Sequence, residues 1–126
     1  MAASTRTLLD GAVSLSRRLV DGAIEMEQHP ALRHRPALRD RLADSAADYL
    51  ALVYGADANA HYSDYRSRVE ALNEFHASRD ALSRLRHVLS VVHSEGNIDT
   101  TELVKQANEL MPLLIAVALA LRDRDC

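Results

Sequence analysis

Arg79 and Arg86 stand seven residues apart in "LNEFHASRDALSRLRHVLSVVH", residues 72–93. Seven residues make two helical turns, so both guanidinium groups would project along one line, about 10 Å apart along the axis. His76 and His93 lie on the same stripe: Leu72, His76, Arg79, Ser83, Arg86, Ser90 and His93 follow one another in alternating steps of four and three. Side chains three or four apart on a helix can pair. Asp80 precedes Arg84 by one turn and is placed to hold it, whereas no carboxylate stands at those offsets from Arg79 or Arg86. Two cations without helical counterions suit a polyanion or an acidic protein surface, and protonated histidines would lengthen the line. A second basic stretch, "HPALRHRPALRDR", contains Arg35, Arg39 and Arg41; its four arginines against one aspartate make it net +3. Phosphate binding depends on such local density rather than on total charge. The alternative is that Arg79 and Arg86 meet carboxylates of a neighbouring helix, such as Asp44 or Asp48, in ion pairs that contribute little.

Other chemistry is sparse. "RHVLSVVH" places six residues between Arg86 and His93, matching the loose Arg-x4-6-His spacing of some helical ribonucleases. On one continuous helix the pair would be about 10 Å apart along the axis, long for joint action on a phosphate. His76 and His87 share a face but lie roughly 16 Å apart axially, too far to share a metal. A di-iron bundle requires Glu-x-x-His on two helices, and the sequence has no such pair, no His-x-x-x-His, no glycine-rich phosphate loop and no nucleophile elbow. Asp40, Asp44 and Asp48 form an acidic stripe, read as a solvated helix face rather than as an acid–base or magnesium site. His29, His34 and His61 fall in or beside loops, and His87 joins Arg84 on the outer face. The expectation is a protein without catalytic residues, cofactor or metal.

These side chains must be positioned by helices. A chain of 126 residues is enough for one domain with its own core. Four Gly and three Pro leave room for few turns, and with 4% aromatics and no Trp the core must be Leu, Ala and Val. Net charge is −3, so the whole molecule is no polycation, yet fourteen of the fifteen basic residues are Arg and one is Lys105. Arginine suits planar, bidentate contacts; a GC-rich genome produces the same bias without structural cause. Cys126 is the only cysteine, which excludes a disulfide framework and a thiolate metal site and fits a reducing cytoplasm. The start, "MAASTRTLLDGAVSLSRR", lacks an uninterrupted apolar stretch and does not read as a signal peptide. The longest apolar run, "LMPLLIAVALAL", is twelve residues with a proline, against about 20 for a membrane span. A soluble, cytoplasmic protein without a membrane partner is expected.

The patterning predicts four helices, over about 5–28, 36–54, 63–93 and 99–122. The first has the seam Leu8, Ala12, Leu15, Leu19, Gly22 and Met26, widened by Leu9, Val13, Val20 and Ala23. Pro36 opens the second, which runs through Leu38, Leu42, Ser45, Tyr49 and Leu52 to Gly55, a C-terminal stop. "ADANAHYS" reads as a polar linker with Ser63 capping the third helix. That helix carries Ala71, Phe75, Ser78, Leu82, Leu85, Leu89 and Val92 and ends ahead of a turn at Gly96. Asp99 with Glu102 opens the fourth in a capping-box-like start, with Leu103, Ala107, Leu110, Leu114, Val117 and Leu121 as its seam. Four seams and short connections describe an all-α, up-down-up-down four-helix bundle. On the last helix Val104, Met111, Ile115 and Ala118 add a second apolar stripe. A small bundle cannot bury a helix on every side, so Met111, Ile115 and Ala118 are the candidate oligomer interface; a wide core helix is the alternative. Pro112 should kink this helix or loosen its bonding near Asn108.

The stretch "ALNEFHASRDALSRLRHVLSVVHSEGNIDTTELVKQANELMPLLIAVALALR", a helix of regularly placed Leu and Arg, a Gly turn and an acidic cap on a long final helix, resembles a known family. It is similar to the four-helix-bundle proteins that include the accessory variability determinants of diversity-generating retroelements and proteins encoded within intervening sequences of large-subunit ribosomal RNA genes. The resemblance implies a non-catalytic subunit, assembled as pentameric rings, that binds a reverse transcriptase and its template RNA. The matching positions are the arginines of the second and third helices: Arg35, Arg39, Arg41, Arg79, Arg84 and Arg86. The retroelement proteins are strongly basic, and this chain departs from them at net −3, which weakens the RNA expectation more than the assembly. Two other readings stand beside it: a protein-only scaffold like the small helical subunits of RNA-guided effector complexes, and a helical ribonuclease using Arg86 and His93.

Overall fold

The 3.6-residue periodicities become helices nearly everywhere. A computed structural model of the chain describes residues 5–123, and about nine-tenths of these are helical, with no strand among them. The elements are α1 (Thr5–Glu27), a single turn α2 (Pro30–Arg33), α3 (Pro36–Ala60), α4 (Tyr65–Gly96) and α5 (Thr101–Asp123). Pro30 and Pro36 occupy first turns, where a missing N–H costs nothing. The cap of α4 is Asp64, not Ser63: its carboxylate accepts from the Ser67 N–H and hydroxyl, each at 3.0 Å. Those two bonds hold the Asp64 carboxyl below its usual range. Asp99 accepts from the Thr101 N–H at 3.0 Å and is lowered in the same way by its bonds to Thr101.

Gly55 does not stop its helix; α3 runs on to Ala60. Gly, Asp and Asn are weak helix formers, but Ala56 and Ala60 are buried, and that packing overrides the local preference. The glycine serves a close approach instead. A Cβ there would collide with Glu74 Oε2, and Asn59 one turn later donates to the same carboxylate. At the other end of α4, Gly96 is the last helical residue rather than part of the turn, and Asn97 takes the left-handed conformation at φ 54°. The last helix begins at Thr101. Thr100 accepts the Val104 N–H at 2.9 Å and sends its own hydroxyl to the Leu89 carbonyl at 2.9 Å, fastening the connection to α4.

The long helices pack in a ring: α3 against α4 and α1, and α5 against α4 and α1. Every seam residue read from the sequence on α4 and α5 is buried. The α1 face is rotated from its expected seam. Leu9, Ala12, Ser16, Leu19, Val20 and Ala23 are buried, while Leu8, Leu15, Gly22 and Met26 flank them. Ser16 turns inward because its hydroxyl meets the Tyr49 hydroxyl at 2.7 Å, a buried bond that satisfies both groups. On α3 the buried line is Leu38, Leu42, Ala46, Tyr49 and Val53, with Ser45 and Leu52 at its edge.

Helix α5 is less exposed than its composition suggested, because α1 and α4 flank it on two sides. Ala118 is 5% exposed and belongs to the core, which corrects its assignment to an outer interface; Met111 and Ile115 are half-buried. Leu119, 45% exposed, is its large apolar side chain at the surface. The helix runs unbroken through Pro112 for 23 residues, longer than its apolar run. By length and composition alone it is long and apolar enough to cross a membrane, while its seam packs into the protein core.

Candidate functional site

The eight basic residues singled out from the sequence divide into two halves. Four are engaged by the fold. Arg35 donates to the Glu95 carbonyl and so helps close the C-terminal end of α4. Arg39 stands 3.9 Å from Asp40 and near Glu27. Burial raises the Glu27 carboxyl above its usual range, and the Arg39 charge partly offsets this. Arg86 donates to the Asn108 side-chain oxygen of α5 at 2.9 Å, and His93 Nδ1 accepts the Thr100 N–H in a long 3.5 Å contact. Neither Asp44 nor Asp48 takes Arg79 or Arg86, and among the described residues Asp80 makes no ion pair with Arg84. The line of two free arginines is therefore broken: Arg86 is turned to α5, and only Arg79 is left.

The other four lie at two surface depressions. Arg41 and Arg84 line a groove of about 690 Å³ between α3 and α4, together with Asp44, Asp48 and His87, over Ala81 and Val88. The acidic stripe of α3 thus faces the outer arginine of α4. None of Arg41, Asp44, Asp48 and Arg84 is in a hydrogen bond or ion pair among the described residues. A surface carrying both signs at this spacing repels a phosphate as readily as it attracts one; it complements another protein's charged surface better.

His76 and Arg79 line a smaller, more enclosed pit of about 130 Å³ between α4 and α5. Its walls are Leu72, Ile115, Ala118 and Leu119, and its third basic residue is Arg122. Among the described residues no carboxylate lines it. The Arg79 Nε is buried without a hydrogen-bond partner among the described residues, and Arg122 bonds the Asp123 carboxylate at 3.1 Å. The basic stripe of α4 and the apolar stripe of α5, read separately from sequence, meet here. Arg122 and Leu119 were missed. Ile115, Leu119 and Arg122 follow one another at steps of four and three, a signal that becomes legible only once α5 is known to lie beside the first half of α4.

Among the described residues no group of three or more His, Cys, Asp or Glu is placed to hold a metal ion. Comparison with known families, curated proteins and solved structures returns no match to this chain. The functional reading therefore rests on the residues themselves.

Proposed function

We propose that this chain is a non-catalytic, cofactor-free accessory subunit of the cytoplasm, an up-down-up-down four-helix bundle that docks on a larger protein through the α3–α4 face. Bonds between opposite ends of neighbouring helices support the up-down order. Arg35, just ahead of α3, reaches Glu95 near the end of α4, and Asn59 near the end of α3 reaches Glu74 near the start of α4. The carrying observation for docking is the groove in which Arg41, Asp44 and Asp48 of α3 face Arg84 and His87 of α4, none of the four Arg and Asp side chains paired among the described residues. The resemblance to the retroelement accessory proteins names the partner as a reverse transcriptase. The two carboxylates favour that protein over its template RNA as the direct contact. The same mixed charge favours, as the second reading, a protein-only subunit of an RNA-guided effector complex. A reverse transcriptase encoded beside the gene should be retained by the tagged protein, and Arg84→Glu should release it. RNA binding by the isolated protein, with a steep salt dependence that Arg84→Glu removes, would overturn the protein-contact reading. Co-purification with a neighbouring nuclease complex would favour the second reading.

Self-association belongs to the same proposal, on a smaller apolar surface than the sequence suggested. It rests on Leu119, exposed on α5, with Met111 and Ile115 half-buried nearby. Light scattering at micromolar concentration should give more than one copy, and Leu119→Glu should disperse the assembly with helix content intact. A monomeric wild type removes this part of the proposal.

A further inference from the structure

We infer that the pit between α4 and α5 is a binding site for a small monocarboxylic acid with an apolar body, such as a branched aliphatic or an aromatic acid. The inference is independent of the docking partner on the α3–α4 face, shares Ile115 and Leu119 with the proposed self-association surface, and rests on four features of the pit. First, the lining is unbalanced among the described residues: His76, Arg79 and Arg122 contribute, and no carboxylate does. Second, Arg79 is half-buried, with its Nε covered and without a partner among the described residues. An Nε drawn out of water without an acceptor loses solvation that nothing among the described residues returns, and an anion brought to the guanidinium would supply that partner. Buried polar atoms are ordinarily satisfied, and an exception calls for a missing partner. Third, the remaining walls (Leu72, Ile115, Ala118 and Leu119) are wholly apolar. A bare phosphate would gain nothing from them and would lose water to enter, whereas a hydrocarbon body gains by its burial.

The fourth feature is size. The pit measures about 130 Å³, and an apolar cavity of roughly 150 Å³ accommodates a benzene ring. One ring or one branched chain therefore fills it, leaving the carboxylate at the cationic side. Arginine is the side chain best shaped to take a carboxylate, through two parallel N–H donors. Arg122 already shares its charge with Asp123 at 3.1 Å, so Arg79 is the anchor and Arg122 and His76 are auxiliary. The apolar walls would select the body of the acid and Arg79 its charge.

The test is ligand-observed NMR and calorimetry on the wild-type chain with benzoate and isovalerate, alongside benzamide, inorganic phosphate and a short peptide ending in a Leu carboxylate. Saturable binding of at least one of the two acids is expected, with benzamide and phosphate much weaker. Arg79→Gln should weaken the acid by about tenfold or more, as loss of a charge-assisted contact does. Because Arg79→Gln also removes packing between α4 and α5, Ile115→Phe supplies a second check: from a half-buried position it fills the pit while keeping His76, Arg79 and Arg122, and should also abolish binding. Equal binding of benzamide or of phosphate, or no binding of either acid, would overturn the inference. So would binding of the peptide alone, which would make the pit a receptor for a protein C-terminus instead.

Discussion

Replacing Phe75 with alanine is expected to destabilise the protein by about 3–5 kcal/mol, the range for removing a large aromatic side chain from a packed core. Phe75 is the only phenylalanine in the chain and is fully buried on the α4 seam. Its neighbours one turn away on that seam are Ala71 and Ser78, both buried and both too small to close the space. Ser78 is further held by its hydroxyl, which donates to the Phe75 carbonyl at 2.7 Å. The cavity would stay open, and its cost would add to the lost transfer free energy. Since domains of this size have only about 5–15 kcal/mol of stability in total, the variant should melt far below the wild type in urea or on heating. Tyr65→Ala, at a position 74% exposed, should stay within about 0.5 kcal/mol of it. A loss below about 1 kcal/mol at Phe75 would mean that the core is not packed as described.

The second large effect lies at alkaline pH. Tyr49 is buried, and that burial pushes its hydroxyl up to about 12, the bond from Ser16 opposing the shift by a smaller amount. In the unfolded chain a tyrosine releases its proton near pH 10. The folded protein therefore holds this proton more tightly than the unfolded chain does. The resulting stabilisation is complete below about pH 10 and is lost as pH rises toward 12, a difference of about 3 kcal/mol over two units. Urea unfolding at stepped pH should show this decline in the wild type and a flatter curve in Tyr49→Phe. At neutral pH the same substitution should cost about 1–3 kcal/mol, because the buried Ser16 hydroxyl loses its partner. Parallel curves for the two proteins above pH 10 would rule out Tyr49 as the source.

What was legible in the sequence follows a physical rule: most features set by neighbours within one helix were read correctly, the α4 cap at Asp64 rather than Ser63 being an exception. The α4 and α5 seams, the proline starts and the acidic group ahead of α5 all depend on spacings of three or four residues. Features set between helices were not. Gly55 looks like a stop until Glu74 is placed against it, and the inward turn of Ser16 depends on Tyr49 from another helix. Arg86 has no helical carboxylate, but its partner is a neutral amide on α5, Asn108, which a search for opposite charge cannot find. The pit was invisible for the same reason. Its two halves were each noticed, and only the packing of α5 beside α4 brings Ile115 and Leu119 against His76 and Arg79.

The bonds at both ends of the α3–α4 pair have a consequence for the order of assembly. Asn59 with Glu74 spans the short α3–α4 connection and Thr100 with Leu89 the equally short α4–α5 connection, so closing either loop costs little chain entropy. The approach of Leu103 to Gly22 joins the first helix to the last and needs all the chain between those two residues to be brought round. The two hairpins that share α4 are thus the local units on which folding can begin, and the seam between α1 and α5 is the latch that shuts the ring. Whatever grips α5 from outside presses on that latch.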